Sequence, residues 1–518
     1  MDNRKGRIIA IWIWTLVPVL TQLWIVTEYR TDLIIRDEFR HILPRVQHLL
    51  EGEFSFAADL WANQNVHRPV LPLLFIMANA YFASWNVLYE TLAGFAGYVA
   101  LLIVLTRAQL RTFRTIGLDA LSWSIPVVSF LLFSMTSWKI FYMGYAALQH
   151  SFSILGVVFG LFVLGRSERP LRALSGAALL GIVATLSFAP ALVFWPAGCF
   201  VLACKRTETL RDRTLHLALW VAVSIVVVSI YMIDMAPRDL HFSFLPRLLE
   251  KLEFTLAFVG APICNYNLNG AVIAGLGGLL ALPALALYLV FFKRVSVSVV
   301  APYVSLGLFS FGAGFLTSMG RLYLQVEVVL QRDWKIFASP LWIALAVLTC
   351  LALQLLAQTR RVGPIASDGN SGPGEEGANS HASGIEVATP LSVRSRTMLD
   401  GCMAIALPTA MAIVMLSFWL TNFTEIDLYE RRHIPLARLS ARIQDKPLPS
   451  VLRIPSFRQD LSKATKRSAR IAAQRFAELQ GMPVTYKELR ALHSDVDREG
   501  SAWRMNFLRR HRLAIYRD

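Results

Sequence analysis

Asp37 and Glu38 stand side by side on the polar stretch 36–75, RDEFRHILPRVQHLLEGEFSFAADLWANQNVHRPVLPLLF, which later carries His67 and Arg68. A carboxylate at the mouth of an apolar segment can take a proton from a hydroxyl, and Asp37 is the residue placed for that general-base work. Glu38, one position on, points about 100° away on a helix and suits orienting a neighbour or holding a cation. The same two acids also fit the first turn of a helix, where carboxylates stabilise exposed amide groups without any chemistry. The residues alone leave both readings open. Arg68 likewise fits two parts: an ion pair with Asp37 or Asp59, or a contact to a phosphate.

A second group lies between two late apolar runs: Gly320 and Arg321, then Arg332, Asp333, Trp334 and Lys335. Guanidinium groups hold phosphate oxygens through paired hydrogen bonds, which makes Arg321 the leading phosphate ligand, with Arg332 and Lys335 beside it. These cations equally suit helix ends, with their stems along apolar surface and their heads at the interface. Lys139, His150, Asp234, His241 and Glu90 fall at expected span ends and read as interfacial residues.

The elements that must position these groups are membrane helices. The 518 residues are 55% hydrophobic and 17% charged, and apolar runs of about 20 residues recur, a pattern that one water-soluble core does not produce. The expected fold class is an all-α polytopic membrane protein with about 11 transmembrane helices, outer interfacial helices and a small outer C-terminal region. Spans are expected near 8–27, 86–106, 118–136, 147–164, 173–188, 189–204, 214–233, 269–292, 296–318, 336–357 and 398–420. The first is a retained anchor, since no small-residue cleavage site follows it. Segment 69–84 is apolar but short and opens on Pro69 and Pro72. If it lies in the interface or re-enters, the arginines at 107, 111 and 114 fall on the inner side with those of the other inner loops. The amino terminus is then inside and the carboxyl terminus outside.

This divides the chain into a transmembrane core over 1–357 with its first outer loop at 28–85, a Gly- and Ser-rich inner linker at 358–397, a last span at 398–420 and a basic outer region at 421–518. An amphipathic basic stretch near 461–479 suits either anionic headgroups or the solvated face of a small outer domain.

Several classes are excluded. The net charge of +16 divides between inner loops and the tail, which points to lipid phosphate and not to nucleic acid. There is no P-loop, Rossmann fingerprint, HExxH pair or GxSxG elbow. The five cysteines fall mostly in apolar runs without paired spacing, so neither disulfides nor a zinc site is expected. The glycines of AGLGGLL at 274–280 read as close helix packing.

An acidic pair after the first span, a helix ending in LLEGEF, and a His with prolines opening an apolar helix (His67, Arg68, Pro69, Val70, Leu71, Pro72) together resemble the GT-C superfamily of integral membrane glycosyltransferases. Bacterial members often read DE, a glycine-containing turn, then HPPL; here HRP stands for HPP. The resemblance covers the first hundred or so residues by motif and the rest by topology alone. It implies transfer of a sugar from a polyprenyl-phosphate carrier to a hydroxyl or amine of a lipid, glycan or protein at the outer membrane face. Asp37 matches the family's usual catalytic position. Membrane lipids and a glycan or lipid acceptor are the implied partners and a bacterial inner membrane the implied location. A divalent cation at Asp37 and Glu38 is possible, although no ligand set sufficient to hold one is evident. A lipid or glycan transporter and an envelope-assembly protein are the competing readings of the same topology; the halves show no convincing repeat of the kind transporters carry.

Overall fold

The structure, a computed structural model, describes residues 3–28, 41–64, 67–83, 85–119, 121–166, 169–205, 209–235, 247–321, 326, 328–331, 333–361 and 393–444. The chain is all-α and polytopic. Its helices are α1 (Asn3–Glu28), α2 (Leu43–Glu51), α3 (Val70–Ala83), α4 (Val87–Thr115), α5 (Ser124–Leu132), α6 (Trp138–Tyr142), α7 (Gly144–Arg166), α8 (Pro170–Thr185), α9 (Phe194–Ala203), α10 (Leu210–Met232), α11 (Leu248–Gly260), α12 (Leu268–Leu287), α13 (Val297–Arg321), α14 (Val328–Gln331), α15 (Ser339–Arg361) and α16 (Val393–Gln444). Among the described residues no sheet forms; Gln64 and His67 make one isolated antiparallel bridge.

Among the described residues eight helices are long and apolar enough to cross a membrane: those over Arg4–Glu28, Val87–Thr115, Gly144–Gly165, Leu210–Met232, Leu268–Phe292, Val297–Gly320, Trp334–Gln358 and Asp400–Ile426. The other three expected spans are shorter apolar helices over Ser124–Ser137, Pro170–Thr185 and Ala189–Ala203, below the roughly 20 residues a helix needs to cross alone. Segment 69–84 forms α3, of 14 residues, with Val70, Leu73, Ile76 and Met77 buried. The last helix is not bounded at 420. It continues unbroken to Gln444, and Thr421, Glu425 and Tyr429 are buried against the bundle.

Small residues set the closest approaches. On α4, Gly94 faces Ala147 and Gly97 faces Ser151 of α7; a Cβ at Gly94 would come within 2.4 Å of the Ala147 Cβ. The crossing of α11 and α12 is tighter still. A Cβ at Gly260 would lie 1.8 Å from the Ala271 carbonyl oxygen, and one at Gly275 2.0 Å from that of Leu256. The glycine-rich run 274–280 thus places Gly275 in backbone contact with α11, as small-residue packing in lipid requires.

That contact explains a helix absent from the sequence reading. Residues 234–268 read as an outer loop because α11 has only 13 residues and includes Glu250, Lys251 and Glu253. Yet Lys251, Phe254, Phe258 and Val259 are buried. At the end of the bundle where α1 begins, Arg7 pairs with Asp119, and Lys293 bonds Asp400 at 2.7 Å.

Candidate functional site

The first loop folds before it reaches the bundle. Pro44 sits in the first turn of α2, where its missing N–H costs nothing. Gly52 ends the helix at φ 78°, a left-handed position that glycine adopts without strain, and the Glu53 amide returns to the His48 carbonyl at 2.7 Å. The π-helical turn Phe56–Trp61 follows, capped by Ser55. Asp59 is its anchor: 1% exposed, it accepts from the Ser55 amide at 2.7 Å and meets His48 Nδ1 at 2.6 Å.

Two guanidinium groups close the loop. Arg45 Nη2 donates to the Ala62 carbonyl at 3.1 Å. Arg68 donates through Nη1 to the adjacent Trp61 carbonyl at 2.5 Å and through Nε to the Tyr231 carbonyl at 2.7 Å. Its guanidinium carbon lies 4.9 Å from the centre of the Trp61 ring, within cation–π range. Burial pulls both guanidinium groups below their ordinary value, against nearby Asp59 for Arg45 and Asp234 for Arg68. Both remain charged. Arg68 therefore does not pair with Asp59, whose carboxylate is taken up by Ser55 and His48; instead it fastens the loop to the end of α10.

His67 pairs its backbone with Gln64, the amides and carbonyls meeting at 2.8 and 3.0 Å. Its ring lies 4.4 Å from that of Phe188. Phe188 in turn faces His150 at 4.9 Å and Phe337 at 5.3 Å, and His150 lies 5.3 Å from Phe337. This aromatic and imidazole cluster joins the end of the first loop to the 3-10 turn Asp333–Phe337, which carries Lys335. The structure so brings His67 and Arg68 to the same end of the bundle as the late cationic segment.

Lys335 itself turns inward. It pairs with Glu425 of α16, both side chains buried, and Glu425 also accepts from Asn265 Nδ2 and from Trp138 Nε1, the latter at 2.8 Å. One carboxylate thus ties together α16, the turn before α15, the start of α6 and the connection between α11 and α12. Among the described residues the cations of the late segment offer no free lysine, since this one is spent on Glu425.

Two residues assigned to the interface are buried instead. His150 is 2% exposed within α7, its Nδ1 2.6 Å from the Ala146 carbonyl. Glu90 does not reach a polar layer: it is 1% exposed and accepts from Asn79 Nδ2 at 2.9 Å. Gly144 leaves it room, since a Cβ there would fall 2.7 Å from Glu90 Oε2. Asp37, Glu38 and Arg332 lie outside the described residues, as does the side chain of Arg321, whose backbone ends α13. Among the described residues no three His, Cys, Asp or Glu side chains gather to hold a metal ion.

Two further residues of this region, Arg45 and Glu425, belong to no sequence motif. Arg45 stood in the polar stretch as one basic residue among several. Glu425 stood four residues after Thr421, and both are now buried on one face of α16, a spacing that a helical continuation of the last span would have exposed.

No family model matches the chain, and no curated protein matches it. Among solved structures the chain is similar to an archaeal oligosaccharyltransferase from Archaeoglobus fulgidus, in complex with an inhibitory peptide and a dolichol-phosphate, at TM-score 0.40 and 11% identity. The match covers 79% of this chain and 56% of that one, so the chain spans little more than half the length of the protein it resembles.

Proposed function

We propose that this chain is a membrane glycosyltransferase that moves a sugar from a polyprenyl-phosphate carrier to a hydroxyl or amine of a lipid, glycan or protein at the outer face of a bacterial inner membrane. The observation that supports it most is the anchored first loop. The end of that loop is locked to α10 by Arg68 and to the aromatic cluster by His67. Proton transfer requires a base carried on a fixed scaffold, and a loop fastened to the bundle by Arg68 and His67 meets that requirement.

In this reading Asp37 takes the proton of the acceptor hydroxyl as its oxygen attacks the anomeric carbon. The bond from that carbon to the carrier phosphate breaks, and the phosphate leaves with the electron pair. Arg321 and Arg332 offset the charge that gathers on the leaving group. One displacement inverts the anomeric centre. Lys335 is withdrawn from this set because its charge is matched by Glu425. The amino terminus is cytoplasmic and the tail periplasmic.

The test is mass spectrometry of lipid-linked and envelope glycans in cells lacking the protein, complemented at equal expression with wild type or Asp37→Asn. One glycan should lose a sugar in the deletion, regain it with wild type and stay short with Asp37→Asn. Full restoration by Asp37→Asn would make Asp37 a helix-capping residue and end this mechanism.

A further inference from the structure

Arg45 and Arg68 come from opposite ends of the first loop yet meet it at consecutive carbonyls, those of Ala62 and Trp61. Arg45 is 7% exposed and Arg68 1%. After the bonds to Ala62, Trp61 and Tyr231 are made, Arg45 Nη1 and Arg68 Nη2 are buried with no hydrogen-bond partner among the described residues. Nor does any described carboxylate pair with either guanidinium; the nearby Asp59 is occupied by His48 and the Ser55 amide. Buried donors of a charged group are costly to leave unmet, and among the described residues Arg45 and Arg68 are the two arginines that carry one.

We propose that Arg45 and Arg68 form a two-guanidinium site for a phosphate-type oxyanion. A carboxylate has two oxygens and is filled by one guanidinium fork. A phosphate presents three or more oxygens and up to two charges, so it can receive one N–H from each of two arginines approaching from different sides. The carbonyls of Ala62 and Trp61 each hold one of the two groups, and the Trp61 ring lies 4.9 Å from the Arg68 guanidinium carbon, so the donors are fixed before an anion arrives. Trp61, Ala62 and Asn63 are only half-buried, which puts this edge of the loop close to the surface from which an anion would enter. The site stands on this geometry alone; only the identity of its phosphate as that of the lipid-linked donor rests on the glycosyltransferase reading.

The experiment uses the full chain in nanodiscs and measures binding of farnesyl phosphate, inorganic phosphate and farnesol by native mass spectrometry. Wild type is compared with Arg45→Gln, Arg45→Lys and Gly277→Ala. Loss of one charge-assisted contact should weaken phosphate binding about 10- to 100-fold in Arg45→Gln. Arg45→Lys, which keeps the charge but not the fork, should fall between. Gly277→Ala, with nothing within 4 Å of the added carbon, should bind as wild type, and because no sugar is transferred in this assay a failed sugar-transfer reading would leave the result standing. Binding of farnesyl phosphate alone names a lipid headgroup as the source, and equal binding of inorganic phosphate names a free anion; either supports the site. Hydrogen exchange across 43–69 of the wild type gives a readout that needs no variant, and added phosphate should slow it. Unchanged phosphate binding in Arg45→Gln, binding no tighter than that of farnesol, or exchange indifferent to phosphate would overturn the proposal.

Discussion

Replacing Lys335 with methionine removes the cation from a pair in which both side chains are almost wholly buried, 2% and 1% exposed. Breaking such a pair from one side leaves an uncompensated buried charge and costs about 3–5 kcal/mol. Glu425 keeps two other donors, Asn265 Nδ2 and Trp138 Nε1, which places the expected loss near the lower bound, about 3 kcal/mol, or roughly a hundredfold in the folding equilibrium. Lys335→Met combined with Glu425→Gln removes both charges and leaves an amide able to accept from Trp138. The double variant should therefore recover much of the loss, with a coupling of about 2 kcal/mol in the cycle. Unfolding of the purified protein in mixed micelles by rising fractions of a denaturing detergent measures all four corners. Because Glu425 joins four segments, Lys335→Met should also loosen α16 in hydrogen exchange. Unchanged stability in Lys335→Met with loss of sugar transfer would mean that the pair with Glu425 does not hold the fold and that Lys335 serves the phosphate.

Other perturbations separate the parts of the fold. Gly260→Leu drives a side chain into the Ala271 carbonyl and should cost about 3 kcal/mol or more or prevent folding, whereas Gly277→Ala, with nothing within 4 Å of the added carbon, should be neutral or slightly stabilising on the same unfolding assay. Asp59→Asn weakens the contacts to His48 and Ser55 and should raise hydrogen exchange across 43–69, at a cost of about 1.5–3 kcal/mol. Asp400→Asn removes the partner of Lys293, but Asp400 is 27% exposed, so its cost should stay near 1 kcal/mol, well below that of Lys335→Met.

The membrane helices were legible because an apolar run of sufficient length has few alternatives in water. Boundaries were legible only where the pattern stopped with the helix. The apolar sums around 118–136 and 189–204 ran across real breaks, the 3-10 turns Met135–Ser137 and Ala189–Val193. The helix α11 was hidden because its place in the core comes from backbone contact at Gly260 and Gly275, a tertiary fact that no hydropathy window contains. The pairing of Lys335 with Glu425 is hidden for a related reason: a cation between two spans looks the same whether it faces a phosphate or an acid 90 positions away. The role of Arg68 as a fastener to Tyr231 likewise depends on α10, a distant stretch of chain. The first-loop acids remain a reading of the sequence, resting on their order and spacing with His67.

The proposed function turns on Asp37 serving bond formation. The measurement that tests it most directly gives purified wild type and Asp37→Asn, in nanodiscs, a panel of polyprenyl-phosphate sugars with membrane-extract acceptors, and follows released polyprenyl phosphate and new glycosidic products by mass spectrometry. Wild type should consume one sugar donor and give product and free polyprenyl phosphate in equal amounts, and turnover should fall at least a hundredfold in Asp37→Asn with donor binding retained. Donor moved across the bilayer by wild type with no bond broken, or equal turnover by both proteins, would contradict it.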